Sequence, residues 1–343
     1  MRSSLRRMVA ALAATCVAAI VAVLGVGATA FADPAGPTDY RSEITSIEPA
    51  TPTIEVEVLG GDSFVQLKVD PGTEVTVIGY RGEEYLWFQP DGSVLENQNS
   101  PSTYTNDDRY GGGEIPANAT PDADPDWERV ASGGQFSWHD HRAHWMQTIR
   151  PAGAQAGDQI LEDRVLLVVD GVDVDVTVIS TWLAEPSPLP AIGGVAVGLA
   201  AAASGWVFRR SHRRWAWVAA PVSALALAVG LAQYLALPSE TGPRLVWWLF
   251  PAVAVVAVVV GAVADRQGRT FVAMASVLVA GVQLAMWGFV KRDGITAAIV
   301  PTDAPGWLDR LTTAAALVGG LGFTALALVA LFDQPSQPAP DPS

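Results

Sequence analysis

Two hydrophobic patterns divide the chain. Between residues 33 and 187, apolar side chains recur at every second position in short runs. Ile54, Val56 and Val58 alternate with Glu55 and Glu57, and Val65, Leu67 and Val69 alternate with Gln66 and Lys68. A period of two puts the apolar set on one face of a strand and the polar set on the other. Val75, Val77 and Ile78 continue the pattern after the turn signal Asp70-Pro71-Gly72. Tyr85-Leu86-Trp87-Phe88 leads through Pro90-Asp91-Gly92 into Val94-Leu95. The clearest hairpin comes last: Val165 to Val169, the turn Asp170-Gly171, then Val172, Val174, Val176 and Val178 alternating with Asp173, Asp175 and Thr177. Short strands joined by Gly and Asp turns predict an all-β, sandwich-like domain over residues 33–185. Residues 97–126 break the pattern and predict one long irregular loop, of the kind that often carries function.

Beyond Pro186, Pro188 and Pro190, which mark a stiff linker over residues 186–190, the pattern changes. Apolar runs near 191–208, 215–237, 245–264, 271–290 and 311–332 are each close to the ~20 residues that span a bilayer. The expected fold class is therefore mixed: an all-β extracytoplasmic domain followed by an α-helical bundle of five transmembrane helices within residues 191–332. Gln233 and Gln283 are the most polar interior candidates, and helix–helix hydrogen bonding is the simplest use for them. These runs hold no ionisable residue, which argues against a solute pathway and for an anchor or one half of a complex.

Charge sharpens the division. Residues 33–187 hold 28 Asp and Glu against 8 Lys and Arg, while the rest of the chain holds 7 against 13. An acidic soluble part excludes nucleic acid as a partner, because phosphate binding needs Lys and Arg. Arg2, Arg6 and Arg7, an apolar stretch 8–27 and small residues up to Ala32 predict a cleaved secretory signal peptide over residues 1–32, with an uncleaved anchor as the alternative. Export would place residues 33–187 outside. The basic run 209–214 and the Pro-rich tail 333–343 would then be cytoplasmic, and Trp247, Trp248 and Trp287 would lie near outer membrane interfaces. Cys16, the only cysteine, lies within the signal region, so the mature chain would have no thiol chemistry.

The candidate chemistry is concentrated in Trp138-His139-Asp140-His141-Arg142-Ala143-His144-Trp145-Met146, which holds three of the chain's 4 histidines. If residues 135–141 are extended, His139 and His141 share a face, and Trp138, Asp140 and Arg142 share the other. His144 joins the first two only if the chain bends near Ala143. Imidazole suits copper or zinc, and the Met146 thioether suits reduced copper. The metal candidates are thus His139, His141, His144 and Met146. The spacing H-x-H-x-x-H also occurs in metallo-β-lactamase-type hydrolases. Here Ala143 stands where that family has its aspartate, and no further histidine is available on the outer side. The competing reading is a structural cluster: Asp140 pairs with Arg142, and the tryptophans pack around neutral, hydrogen-bonded histidines. Asp122-Ala123-Asp124-Pro125-Asp126-Trp127-Glu128 lacks the glycine of an EF-hand and reads as a solvated acidic loop. No nucleophile or acid–base pair can be assigned, so an enzyme is the least supported class.

The segments Gly79-Tyr80, Glu84-Tyr85-Leu86, Asp91-Gly92, Glu96-Asn97, Ser100-Pro101 and Trp138-His139-Asp140-His141-Arg142-Ala143-His144-Trp145-Met146 together resemble a set of uncharacterised actinobacterial exported membrane proteins. The resemblance covers roughly residues 40–185. It implies a place in the cell envelope and no particular activity. Two functions follow as expectations. One is a membrane-anchored extracytoplasmic module that binds copper or zinc. The other is a non-enzymatic envelope interaction protein with a lipid bilayer around it and an envelope protein as partner.

Overall fold

The computed structural model describes residues 35–147, 149–208, 215–239, 241–242 and 245–332. The signal-peptide region, the basic run 209–214 with His212, and the tail 333–343 lie outside these residues.

The β domain has ten strands in two sheets. They are β1 (Tyr40–Glu48), β2 (Ile54–Leu59), β3 (Phe64–Val69), β4 (Val75–Ile78), β5 (Glu84–Phe88), β6 (Ser93–Asn97), β7 (Trp127–Ser132), β8 (Gln135–Trp138), β9 (Gln159–Val169) and β10 (Val172–Trp182). One sheet has the order β1-β10-β9-β4-β5-β6-β7 and the other β2-β3-β8. The β9–β10 hairpin forms at the expected place. Asp170 and Gly171 both take positive φ (47° and 81°), as a two-residue turn matched to strand twist requires. Val172 then faces Val169, which puts Val174, Val176 and Val178 into the core. They meet Val65 and Leu67 of the smaller sheet, Leu86, Phe88 and Trp138. The hairpin arms run 11 residues each, longer than the valine alternation alone indicates.

Strands β1 and β7 carry too little alternation to have been expected. The neighbouring strands supply the order: β1 pairs along β10, and β7 along β6. Within the long loop, Ser100 caps a short helix, α1 (Pro101–Thr105), by accepting from the Ser102 amide, and Pro101 opens it.

Five long apolar helices follow: α2 (Leu189–Val207), α3 (Trp215–Leu235), α4 (Leu245–Arg266), α5 (Thr270–Val290) and α6 (Gly306–Phe332). Each is long and apolar enough to cross a membrane. Small residues let them approach closely. A Cβ added to Gly198 of α2 would lie 2.8 Å from the Gly319 nitrogen of α6.

Three expectations about the bundle are corrected. Helix α6 begins before its apolar run and carries Asp309 and Arg310 in its first turns, both buried. An acidic side chain there suits the positive end of the helix dipole. Asp309 pairs with Lys291, and Arg310 donates to the carbonyls of Ala297 (2.7 Å) and Ala298 (3.0 Å). Trp247 and Trp287 are buried within the protein and not exposed as anchors would be, and Trp287 Nε1 donates to the Trp247 carbonyl at 2.6 Å. Gln233 Oε1 is buried without a hydrogen-bond partner, so that atom makes no helix–helix bond.

The β domain rests on the bundle. Thr38 forms a two-way backbone bridge with Ile299 in the α5–α6 connection, and the Ala298 amide donates to Asp39 at 3.0 Å. Phe64 and Ala35 form a separate apolar cluster with Leu237 and Trp247.

Candidate functional site

Strand β8 delivers the histidine stretch and ends at Trp138. The extended run expected to continue to residue 141 stops because Asp140 caps a 3-10 turn at His141–Ala143. Its carboxylate accepts from the Arg142 amide at 3.1 Å, and this local bond competes with the strand ladder. The turn moves His141 off the face of His139. It supplies the bend near Ala143 that His144 needed and brings the His141 and His144 rings edge to face, centres 5.3 Å apart, but does not converge all three rings on one point.

The stretch is organised around Asp140. Four close donors converge on its fully buried carboxylate, Arg142 Nε at 2.8 Å, Arg142 Nη2 at 2.7 Å, Trp138 Nε1 at 3.0 Å and the Arg142 amide, with the Tyr80 hydroxyl farther off at 3.4 Å. Burial pushes the carboxyl pKa up. The Arg142 charge and these hydrogen bonds outweigh it and hold it below the usual carboxylate range. The guanidinium also donates to the Ile78 carbonyl at 3.1 Å and lies 4.9 Å from the centre of the Tyr80 ring. The pairing of Asp140 with Arg142, and Trp138 beside them, follow the structural reading of the sequence.

Each imidazole meets its own carbonyl. His139 is 1% exposed, stacks on Phe64 with ring centres 4.2 Å apart, and donates from Nδ1 to the Ser63 carbonyl. His141 donates from Nε2 to the Asp108 carbonyl at 2.9 Å, while its amide donates to the Tyr80 hydroxyl at 2.8 Å. His144 Nε2 lies 2.6 Å from the Arg109 carbonyl, and Nδ1 lies 3.2 Å from that of Asp140. A neutral ring has one N–H, and the shorter contact takes it. Met146 Cε and His141 Cε1 both border the position a Gly111 Cβ would take, at 3.6 and 3.2 Å. Among the described residues, no three His, Cys, Asp or Glu side chains are grouped so as to hold a metal ion.

The carbonyls of Asp108 and Arg109 belong to the long loop. Arg109 itself donates to Asp62 and, at 2.9 Å, to Ser63 Oγ. The histidines and Arg109 therefore pin the loop to the start of β3. Nothing in the spacing of the sequence marks Arg109, Asp62 or Tyr80, because their roles depend on chain segments separated by 35 to 61 positions. The acidic run at Asp122, Asp124 and Asp126 is exposed, as a solvated loop would be.

Burial, with the Arg109 charge acting in the same direction, depresses the His144 pKa from 6.5 to about 4. The unfolded ring takes up a proton below pH ~6.5 and the folded ring does not until ~4. Stability held above the unfolded value is thus lost as pH falls through this window, by at most about 3 kcal/mol. Thermal unfolding of the wild type and His144→Gln at pH 7 and pH 4.5 checks this. The wild type should lose more stability on acidification, and equal losses would reject the assignment.

No family model matches this sequence, and no curated protein or solved structure is detectably similar to it. The site is read from its own geometry.

Proposed function

We propose that the chain is a non-enzymatic interaction protein of the cell envelope, anchored by its five helices with the β domain on the outer face. In this reading the Trp138–Met146 stretch is a structural knot that holds the 97–126 loop as a fixed surface for a protein partner. One observation carries it: the three imidazoles donate to three separate main-chain carbonyls, those of Ser63, Asp108 and Arg109. A copper or zinc centre needs ring nitrogens about 2.0–2.1 Å from one shared ion. Each ring keeps a second nitrogen, but among the described residues no three His, Cys, Asp or Glu side chains are grouped so as to bring their donors to one ion.

The orientation rests on the signal-like residues 1–32 and the basic run 209–214. The bases of the second proposed outer loop are Lys291, Arg292 and Arg310: Lys291 pairs with Asp309, Arg310 donates to main-chain carbonyls, and Arg292 donates to the Phe289 carbonyl at 2.9 Å. Their structural use accounts for their departure from the usual cytoplasmic bias.

Calorimetric titration of the full chain in nanodiscs with copper and zinc tests the reading. Binding no tighter than in the His139→Ala/His141→Ala/His144→Ala variant is expected, together with a lower melting temperature for metal-free His139→Ala. Saturable binding that disappears in the triple variant, with metal-free stability unchanged, would instead establish a metal centre of His139, His141, His144 and Met146.

A further inference from the structure

Beside the histidine stretch lies a half-open cleft of about 740 Å³, with Trp138 and His139 in its lining. Its walls come from β5, β6, the residues just after α1, and the β7–β8 hairpin, and its rim reaches Ser239 in the connection after α3. That volume is typical of sites for small organic ligands. Its polar lining is one-sided: it includes the carboxylates of Glu96 and Asp107 and no lysine or arginine.

Asn106 supplies an independent observation. It is 4% exposed and lines the cleft. Its Oδ1 accepts from the Tyr80 hydroxyl, which fixes the amide orientation. The amide Nδ2 is buried with no partner at full hydrogen-bond geometry, the Tyr85 hydroxyl making only a weaker contact with it. A buried, unsatisfied donor costs free energy unless something supplies an acceptor.

The combination selects a ligand class. An anion would face two carboxylates. A bare metal ion would face an amide N–H that it cannot use. A neutral polyol would satisfy Asn106 but leave the carboxylates without a counter-charge. We propose that the cleft binds a small organic cation, a primary ammonium with a hydroxyl or carbonyl oxygen on the adjacent carbon, Glu96 and Asp107 holding the ammonium and Asn106 Nδ2 donating to the oxygen. Ammonium–carboxylate hydrogen bonds are among the stronger ones available to a small ligand.

Glu96 adds a signature. Burial, with the Asp107 charge acting in the same direction, raises its pKa to about 7. The groups facing it are Asp107, Glu128, Tyr85 and Tyr104, none of them a base, with His139 also in the cleft lining. A bound ammonium favours the carboxylate, so affinity rises with pH across this range and binding releases a proton.

The test is calorimetry on the full chain in phosphatidylcholine nanodiscs with 1-amino-1-deoxysorbitol as probe. Sorbitol, which lacks the amine, and putrescine, which lacks the oxygen, serve as comparators. Saturable binding of the amino alcohol is expected, at least tenfold tighter than either comparator and at least tenfold tighter at pH 8 than at pH 5.5. Glu96→Gln should weaken it at least tenfold and flatten the pH dependence, and Asp107→Asn, on the more open side of the cleft, should weaken it as well. Absence of saturable binding, equal binding of sorbitol or putrescine, or an unchanged affinity in both folded variants would overturn the proposal.

Discussion

Arg142→Met is expected to cost the β domain about 3–5 kcal/mol, the usual effect of removing one partner of a buried ion pair. The variant leaves the Asp140 carboxylate buried with the Trp138 indole, one main-chain amide and the more distant Tyr80 hydroxyl as donors. It also removes the bond to the Ile78 carbonyl and the contact with Tyr80. The charge cannot escape to water without opening the turn that Asp140 caps. For a domain of this size the loss corresponds to roughly 10–15 °C in melting temperature. Arg142→Lys should fall between, because it keeps the charge and loses the two-pronged geometry. Thermal unfolding of the full chain, followed by tryptophan fluorescence, reads the outcome. A melting temperature for Arg142→Met within a degree or two of the wild type would mean that Asp140 is not ionised and that the knot is not electrostatic.

Phe64→Ala is expected to have an effect of similar size, about 3–5 kcal/mol for a large buried aromatic, but at a different boundary. Phe64 is 1% exposed and touches both halves of the molecule. One face of its ring stacks on His139, and it clusters with Leu237 after α3 and Trp247 near the start of α4. The cavity would therefore loosen the histidine stretch and the junction with the bundle together. Hydrogen exchange should rise both along β3 and β8 and in the segment from Leu237 to Trp247. If only the β domain exchanged faster, Phe64 would be a core residue and not a coupling between the domain and its anchor.

How much of this was legible in the sequence depended on whether the signal was periodic. The valines of β10 and the turn at Asp170-Gly171 placed the last hairpin directly, since period two and positive φ are local properties. The five apolar helices were equally plain, because their length and composition alone suit a bilayer. Strands β1 and β7 were not legible: their burial is irregular, and pairing with β10 and β6 holds them. Gln66 alternates in the sequence like a solvent-facing residue, yet it is buried and donates to Ser137 Oγ at 2.9 Å. The smaller sheet is covered there on its second side, which periodicity cannot reveal.

The histidine stretch shows the same limit. The sequence by itself determined that three imidazoles, an aspartate and an arginine fall within six residues, and that Asp140 and Arg142 are close enough to pair. It also determined the two-part architecture, through the change from alternating to continuous hydrophobicity. Only the tertiary structure decided where the rings point. Asp140 turns the chain after β8, and the loop carrying Asp108 and Arg109 returns to present carbonyls to His141 and His144. Ring direction depends on those distant partners, because a buried imidazole must satisfy its N–H with whatever acceptor the fold brings to it. The cleft around Glu96 and Asn106 was invisible for the same reason: its walls come from segments that meet only after the two sheets have packed.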